Sequence, residues 1–296
     1  MYLTESILNY RRFLKRKNFS DLTVKNYLHR LKRFFCWLAT PVEATTVKEV
    51  KRYIDSMLEL KMAPRTINCH LSSIRGFYDY LKDEENVHIE NPVVTGLLLR
   101  EAHPLPRYLP DSDVESFLDC VRSTRDLAIF MLMLRCGLRV QEVANLTLDA
   151  IDYRRSQILV KAGKGAKDRI VFISNDAGVA LANYLRKRPV IRERRIFLAE
   201  KGRYKDKPIS VRAMQKRIEM YAKLSGIPVT CHRLRHTMAT QLLNANADLV
   251  SIQEILGHTK IKTTKRYSKL SNLKAQKDYF RAMEMVVAKT TIRQLE

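Results

Sequence analysis

Cysteine is scarce and odd in number. Five thiols, Cys36, Cys69, Cys120, Cys136 and Cys231, stand in 296 residues, and no two form a C-x-x-C pair. Neither a disulfide framework nor a zinc ribbon fits that spacing, and reduced thiols are expected. Long apolar runs are missing too: the longest, residues 127–134, falls far short of the roughly 20 residues that span a bilayer. The opening stretch, MYLTESILNYRRFLKRK, has no apolar signal core and no small-residue cleavage site, so it reads as an amphipathic helix. A soluble, cytoplasmic protein with no membrane partner is expected. Acidic residues are in deficit, 31 Asp+Glu against 54 Lys+Arg, for a formal net charge of +23. Both halves of the chain are basic, so the excess is not one basic tail on a neutral body. Two basic globular regions suit an extended polyanion held between them, and nucleic acid is the favoured partner before any motif is read.

The chain's length fits two domains, and its 46% hydrophobic content can fill two cores. Residues 1–85 read as four helices. Ile7, Tyr10, Phe13 and Leu14 share a face of the first, and Ser20 and Asp21 cap a second that carries Val24, Leu28, Leu31, Phe34 and Leu38. Thr46 to Glu49 is a capping box for a third, and Pro64 opens a fourth. Thr23, Val24, Leu28, Leu31, Phe34 and Leu38 recur as Thr66, Ile67, Leu71, Ile74, Phe77 and Leu81, an offset of 43 that suggests two similar helical hairpins. Asn91-Pro92 ends this part, giving an N-terminal domain over 1–99 and a proline-bearing linker over 100–110. A larger domain, 111–296, begins with helices over 111–121, 124–135 and 140–146, the second nearly all apolar and stopped by Gly137. Strands at 157–161 and 168–173 flank a glycine-bearing hairpin turn. After Asn175 the pattern reads as helices to the C-terminus. The fold expected is mainly α in two domains, with one small antiparallel sheet in the second.

Four elements of the second domain carry polar residues that packing does not demand. In LRCGLRVQEVANL, Arg139 stands at the start of a helix, where free backbone N–H groups favour an anion, with Glu142 three residues on; a plain surface Arg–Glu pair is the bland alternative. The hairpin GKGAKDR sets Lys164 between two glycines, fit to enter a DNA groove or merely to solubilise a turn. CHRLRHTMATQLL places His232 and Arg235 on one helical face. His232 and His236 have metal-ligand spacing, but no acid accompanies them and arginines flank them, so a phosphate fits better than zinc and no metal or cofactor is expected. Cys231 beside His232 invites a thiol nucleophile, though sequence neighbours rarely face one another. In EILGHTKIKTTKRYSKL, His258 follows Gly257 and Tyr267 lies nine residues beyond.

Together, in order and spacing, LRCGLRVQEVANL, GKGAKDR, HRLRHTMATQLL, LGH and the tyrosine nine residues later resemble the tyrosine recombinases (phage integrase family), notably their Xer-like branch. The likeness runs over nearly the whole chain. It implies that 1–99 is a SAM-like core-binding domain contacting DNA and that 111–296 is catalytic. It places the family's two arginines on Arg139 and Arg235, its hairpin lysine on Lys164, its two histidine positions on His232 and His258, and its nucleophile on Tyr267. It further implies a 3′-phosphotyrosyl intermediate and strand exchange through a Holliday junction. The partners implied are double-stranded DNA with paired recombination sites and a homotetramer assembled on it; any accessory protein is not specified. Leu273, Phe280, Met283 and Val287 form an apolar stripe in the tail that suits a helix handed to a neighbouring protomer.

Those residue types suit the chemistry. The pentavalent transition state of a phosphodiester carries extra negative charge on its non-bridging oxygens, and two guanidiniums can hold those oxygens bidentately without losing their protons. A tyrosine hydroxyl titrates near 10 and needs help to attack: His232 is the candidate base or phosphate partner, Lys164 the general acid for the departing 5′ oxygen, and His258 a donor to a non-bridging oxygen. The alternatives are a type IB topoisomerase that relaxes DNA and a sequence-specific DNA binder that has lost catalysis.

Overall fold

The computed structural model describes residues 3–102, 107–161, 168–245 and 247–257. It divides into two compact units, Met1–His103 and Pro104–Glu296. Lys164, His258, Tyr267 and the tail stripe from Leu273 to Val287 lie outside the described residues.

The first unit is built from α1 (Leu3–Arg16), α2 (Asp21–Trp37), α3 (Val47–Glu59) and α4 (Pro64–Asp83). Local chemistry sets their starts. The Ser20 hydroxyl accepts the Thr23 N–H at 3.1 Å. Thr46 Oγ1 accepts from the Lys48 N–H at 3.2 Å, while the Thr46 N–H donates to Glu49 Oε2 at 3.0 Å, so free donors of the first turn are satisfied. Pro64 occupies the first turn of α4, where a missing N–H costs nothing. The repeat is real in packing terms: Val24, Leu31 and Phe34 are buried, and so are their counterparts Ile67, Ile74 and Phe77. Beyond Pro92 the chain still packs on this unit. Val93 is buried, and Asn68 both donates to the Leu99 carbonyl and accepts from its N–H, each at 2.9 Å.

The second unit holds α5 (Asp111–Asp119), α6 (Thr124–Arg135), α7 (Val140–Asn145), β1 (Ile151–Asp152), β2 (Gln157–Val160), β3 (Arg169–Phe172), α8 (Asn175–Lys187), α9 (Val211–Ser225), α10 (Cys231–Asn244) and α11 (Leu249–Leu256). Helix α6 is buried from Ala128 to Leu134 and packs against α8 and α10, which is why its sequence is apolar all round. The sheet has three antiparallel strands in the order β1-β2-β3, with Ile158 opposite Val171 and Leu159 opposite Ile170. Ile158, Val160 and Val171 face the core, while Leu159, Ile170 and Phe172 face out.

Two parts differ from the sequence expectation. Strand β1 was not anticipated, because two residues carry no readable alternation. Between α8 and α9 the chain forms no α-helix, only a single 3-10 turn at Gly202–Tyr204, and Ile196, Phe197 and Leu198 are buried in an irregular segment. Isolated bridges pair Thr147 with Arg195 and Leu198 with Pro208. Pro189 and Pro208 bracket this segment, and proline cannot sustain a helix interior. No described helix is long and apolar enough to cross a membrane.

Candidate active site

Gly137 ends α6 with φ +66°, a left-handed conformation that side-chain-bearing residues avoid. A Cβ there would also meet Leu256 Cδ2 and Met238 Sδ, both at 3.2 Å. The reversal it allows places Arg139 at the N-cap of α7, in extended backbone at φ −74°, ψ 150°. Gly257, at φ +58°, closes α11 in the same way.

The two arginines singled out in the sequence meet at that second turn. Arg235, on α10 and only 4% exposed, donates through Nη1 to the Gly137 carbonyl and through Nη2 to the Leu256 carbonyl. Arg139 donates from Nη2 to the next carbonyl along, Gly257, at 3.2 Å. Two guanidiniums thus grip successive peptide groups at the end of α11, immediately before position 258. The side chain of Arg139 is 39% exposed, so part of its donor fork faces outward. His232, one helical turn before Arg235, is exposed, and its ring stacks with that of His236 at 6.2 Å between centroids. Arg139 and Arg235 therefore meet at one turn, His232 lies on the same helix as Arg235, and Lys164, His258 and Tyr267 belong to the segments outside the description. Burial pushes the Cys231 thiol up to about 11, which makes a thiolate nucleophile there a poor fit at neutral pH.

One residue escaped the sequence reading. Arg169, at the start of β3 and 10% exposed in its side chain, places both Nη atoms on Glu142, at 2.8 Å to each carboxylate oxygen. Its Nε donates to the Ile255 carbonyl at 2.8 Å. Glu142 also accepts from Arg139 Nη1 at 2.8 Å and from the Arg139 backbone N–H at 2.7 Å. The Arg139–Glu142 pair is thus no surface pair but two members of a triad. A signal was present: alternation puts Arg169 in phase with buried Val171 and out of phase with exposed Ile170 and Phe172, so the charged residue is on the inward face of a strand.

Burial pushes the Glu142 carboxyl up, but the bonds from Arg169 and from the Arg139 backbone outweigh it and hold the group down at about 2, against an ordinary 4.5. A depressed carboxyl contributes stability that is complete above the unfolded value and is lost as pH falls toward the folded one. At roughly 1.4 kcal/mol per pKa step, about 3 kcal/mol of this unit's stability should disappear between pH 5 and about pH 2. Glu142→Gln should be less stable at pH 7 but flatter with pH over that window, as read by denaturant unfolding of the second unit; equal slopes would show the pair contributes nothing.

Comparison with known proteins gives one consistent likeness. Residues 107–273 match the model described as the phage integrase family, and residues 7–85 match the phage integrase N-terminal SAM-like domain. Tyrosine recombinase XerC of Oceanobacillus iheyensis is 32% identical over 285 residues, covering 91% of this chain and 90% of the relative. Tyrosine recombinase XerA of Pyrococcus horikoshii is 27% identical over 260 residues, covering 88% and 87%. Among solved structures, a XerA recombinase superposes with a TM-score of 0.55 at 25% identity, covering 94% of this chain and 98% of that one. The Tn1549 transposon integrase in complex with transposon right end DNA reaches a TM-score of 0.74 at 20% identity, covering 94% and 99%, and shares the fold.

Proposed function

The chain belongs to the phage integrase family and is a tyrosine-type site-specific recombinase, and from that premise we propose that it exchanges strands between paired double-stranded DNA sites through a 3′-phosphotyrosyl bond to Tyr267. The observation that carries this reading is the convergence of Arg139 and Arg235 on the successive carbonyls of Gly257 and Leu256. That turn leads directly into His258 and, nine residues on, Tyr267. In this reading the two guanidiniums bind the non-bridging oxygens of the scissile phosphate, preorganised by bonds made before DNA arrives.

The Tyr267 oxygen attacks phosphorus, and the bond to the 5′ oxygen breaks. Lys164 supplies the proton that oxygen needs. His232 takes the tyrosine proton or bonds the phosphate, and His258 donates to a non-bridging oxygen. The 3′-phosphotyrosyl bond keeps the energy of the broken ester, so a 5′ hydroxyl from another duplex can reverse the step without ATP. Repetition on the second strand passes through a Holliday junction. Residues 1–99 serve as the DNA-binding domain, 100–110 as the linker and 111–296 as the catalytic domain, within a homotetramer acting in the cytoplasm. Phe280 and Met283, on the tail stripe, are assigned to the contact between protomers.

The test begins with genomic DNA crosslinked to the protein and sequenced. A duplex of the recovered sequence, nicked so that the short 5′-hydroxyl fragment escapes after cleavage, should trap a covalent adduct. Plasmids bearing two copies should yield products with exchanged flanks. Relaxation of a one-site supercoiled plasmid with no exchange would support the topoisomerase reading, and specific binding with no adduct would support an inactive DNA binder.

A further inference from the structure

Glu142 has four acceptor positions in use, and their distribution is informative. Oε1 accepts from Arg139 Nη1 and Arg169 Nη1, each at 2.8 Å. Oε2 accepts from Arg169 Nη2 at 2.8 Å and from the Arg139 backbone N–H at 2.7 Å. Only Arg169 spans both oxygens with its side chain. Arg139, the guanidinium facing outward, is limited to one of them. A carboxylate and a lone guanidinium favour the two-bond fork, so without Arg169 the Glu142 carboxylate would be available to draw Arg139 into that geometry. Arg139 would then turn its fork inward and its charge would be cancelled. With Arg169 in place the three groups sum to one positive charge.

The position of Arg169 is fixed from two further sides. It pairs with Val160 in the β2–β3 ladder, on the strand that follows the hairpin bearing Lys164. Its Nε holds the Ile255 carbonyl at 2.8 Å, two residues before the carbonyl that Arg139 grips. That approach needs Gly257 to lack a side chain: a Cβ there would lie 2.9 Å from Arg169 Cδ and 3.1 Å from its Nε, the first closer than side chains tolerate. The chain thus closes a circuit from Arg139 through Gly257 and Ile255 to Arg169 and back through Glu142.

We propose that Arg169 is a positioning residue for strand cleavage, which occupies Glu142 and so keeps the Arg139 guanidinium turned toward the scissile phosphate, tying it to the strand that carries the Lys164 hairpin. This rests on the assignment of Arg139 to phosphate binding. Arg169 itself touches no DNA in this scheme.

The test uses the full-length protein and the nicked duplex defined above, with cleavage rate at saturating DNA and Kd measured separately. Arg169→Gln should slow adduct formation by about tenfold or more while Kd changes less than about threefold, since a phosphate-orienting defect acts on the rate and not on ground-state binding. Arg169→Lys, with one ammonium for three acceptors, should fall between. The double variant Arg169→Gln/Glu142→Gln should be no slower than the slower single, because removing Glu142 removes what Arg169 restrains. A loss of fold is controlled by Arg217→Gln, which breaks a different ion pair, Arg217 Nε to buried Asp126 at 2.6 Å. The proposal is overturned if Arg169→Gln slows cleavage no more than Arg217→Gln at matched melting temperature. It is equally overturned if the double variant shows the product of the two single effects, or if Kd accounts for the loss. Failure of the wild-type protein to form any adduct would instead sink the recombinase reading on which this rests.

Discussion

Tyr267→Phe should bind the recovered DNA site as tightly as the unmodified protein, within about threefold, and form no covalent adduct at all. The substitution removes one oxygen and leaves the ring, so any contact the aromatic face makes is retained. A phenyl ring has no nucleophilic atom, so the loss is expected to be total rather than partial. Binding by gel shift and adduct formation on the nicked duplex, run on the same preparation, separate the two quantities. An adduct formed by the Phe variant would mean that another of the 13 tyrosines, or a different residue type, attacks the phosphate.

Arg235→Lys carries the second-largest expected effect. Arg235 is buried on α10, and its two terminal nitrogens reach different carbonyls, Gly137 at the end of α6 and Leu256 at the end of α11. A lysine ammonium is a single point on a flexible stem and cannot span both acceptors while also facing a phosphate. Loss of one preorganised donor to a developing oxyanion costs on the order of 10²- to 10³-fold in rate, and that is the fall expected in single-turnover cleavage. Some stability should go too, because a buried carbonyl loses its donor. Cleavage within a few-fold of the unmodified protein, in a variant whose melting temperature has dropped, would leave Arg235 as a bridge between two helix ends and nothing more.

How much of this was legible beforehand follows from the range of the interactions concerned. Helix starts are local: Ser20, the Thr46–Glu49 box and Pro64 act within three residues of themselves, and each was readable in place. Gly137 was readable as a stop because the apolar period breaks there, although its close approach to Met238 and Leu256 was not. The polar constellation was visible through order and spacing. The Arg169–Glu142 pair joins residues 27 apart, and no short-range pattern announces such a partnership. The inverted alternation in β3, with arginine inside and Ile170 and Phe172 outside, was the available sign. The irregular segment before α9 departs from the helices expected after Asn175: Ile196, Phe197 and Leu198 are a short buried apolar run, and periodicity alone does not tell such a strand-like run from a helix.

The central claim is that the chain joins DNA to itself through Tyr267, and direct mapping of the bond tests it. The adduct trapped on the nicked duplex would be digested with nuclease and protease, and the peptide that retains a nucleotide sequenced by mass spectrometry. The expected peptide contains Tyr267, carrying a nucleotide through its 3′ phosphate, with a free 5′ hydroxyl on the released strand. A nucleotide on any other side chain, or one linked through a 5′ phosphate, would contradict the claim.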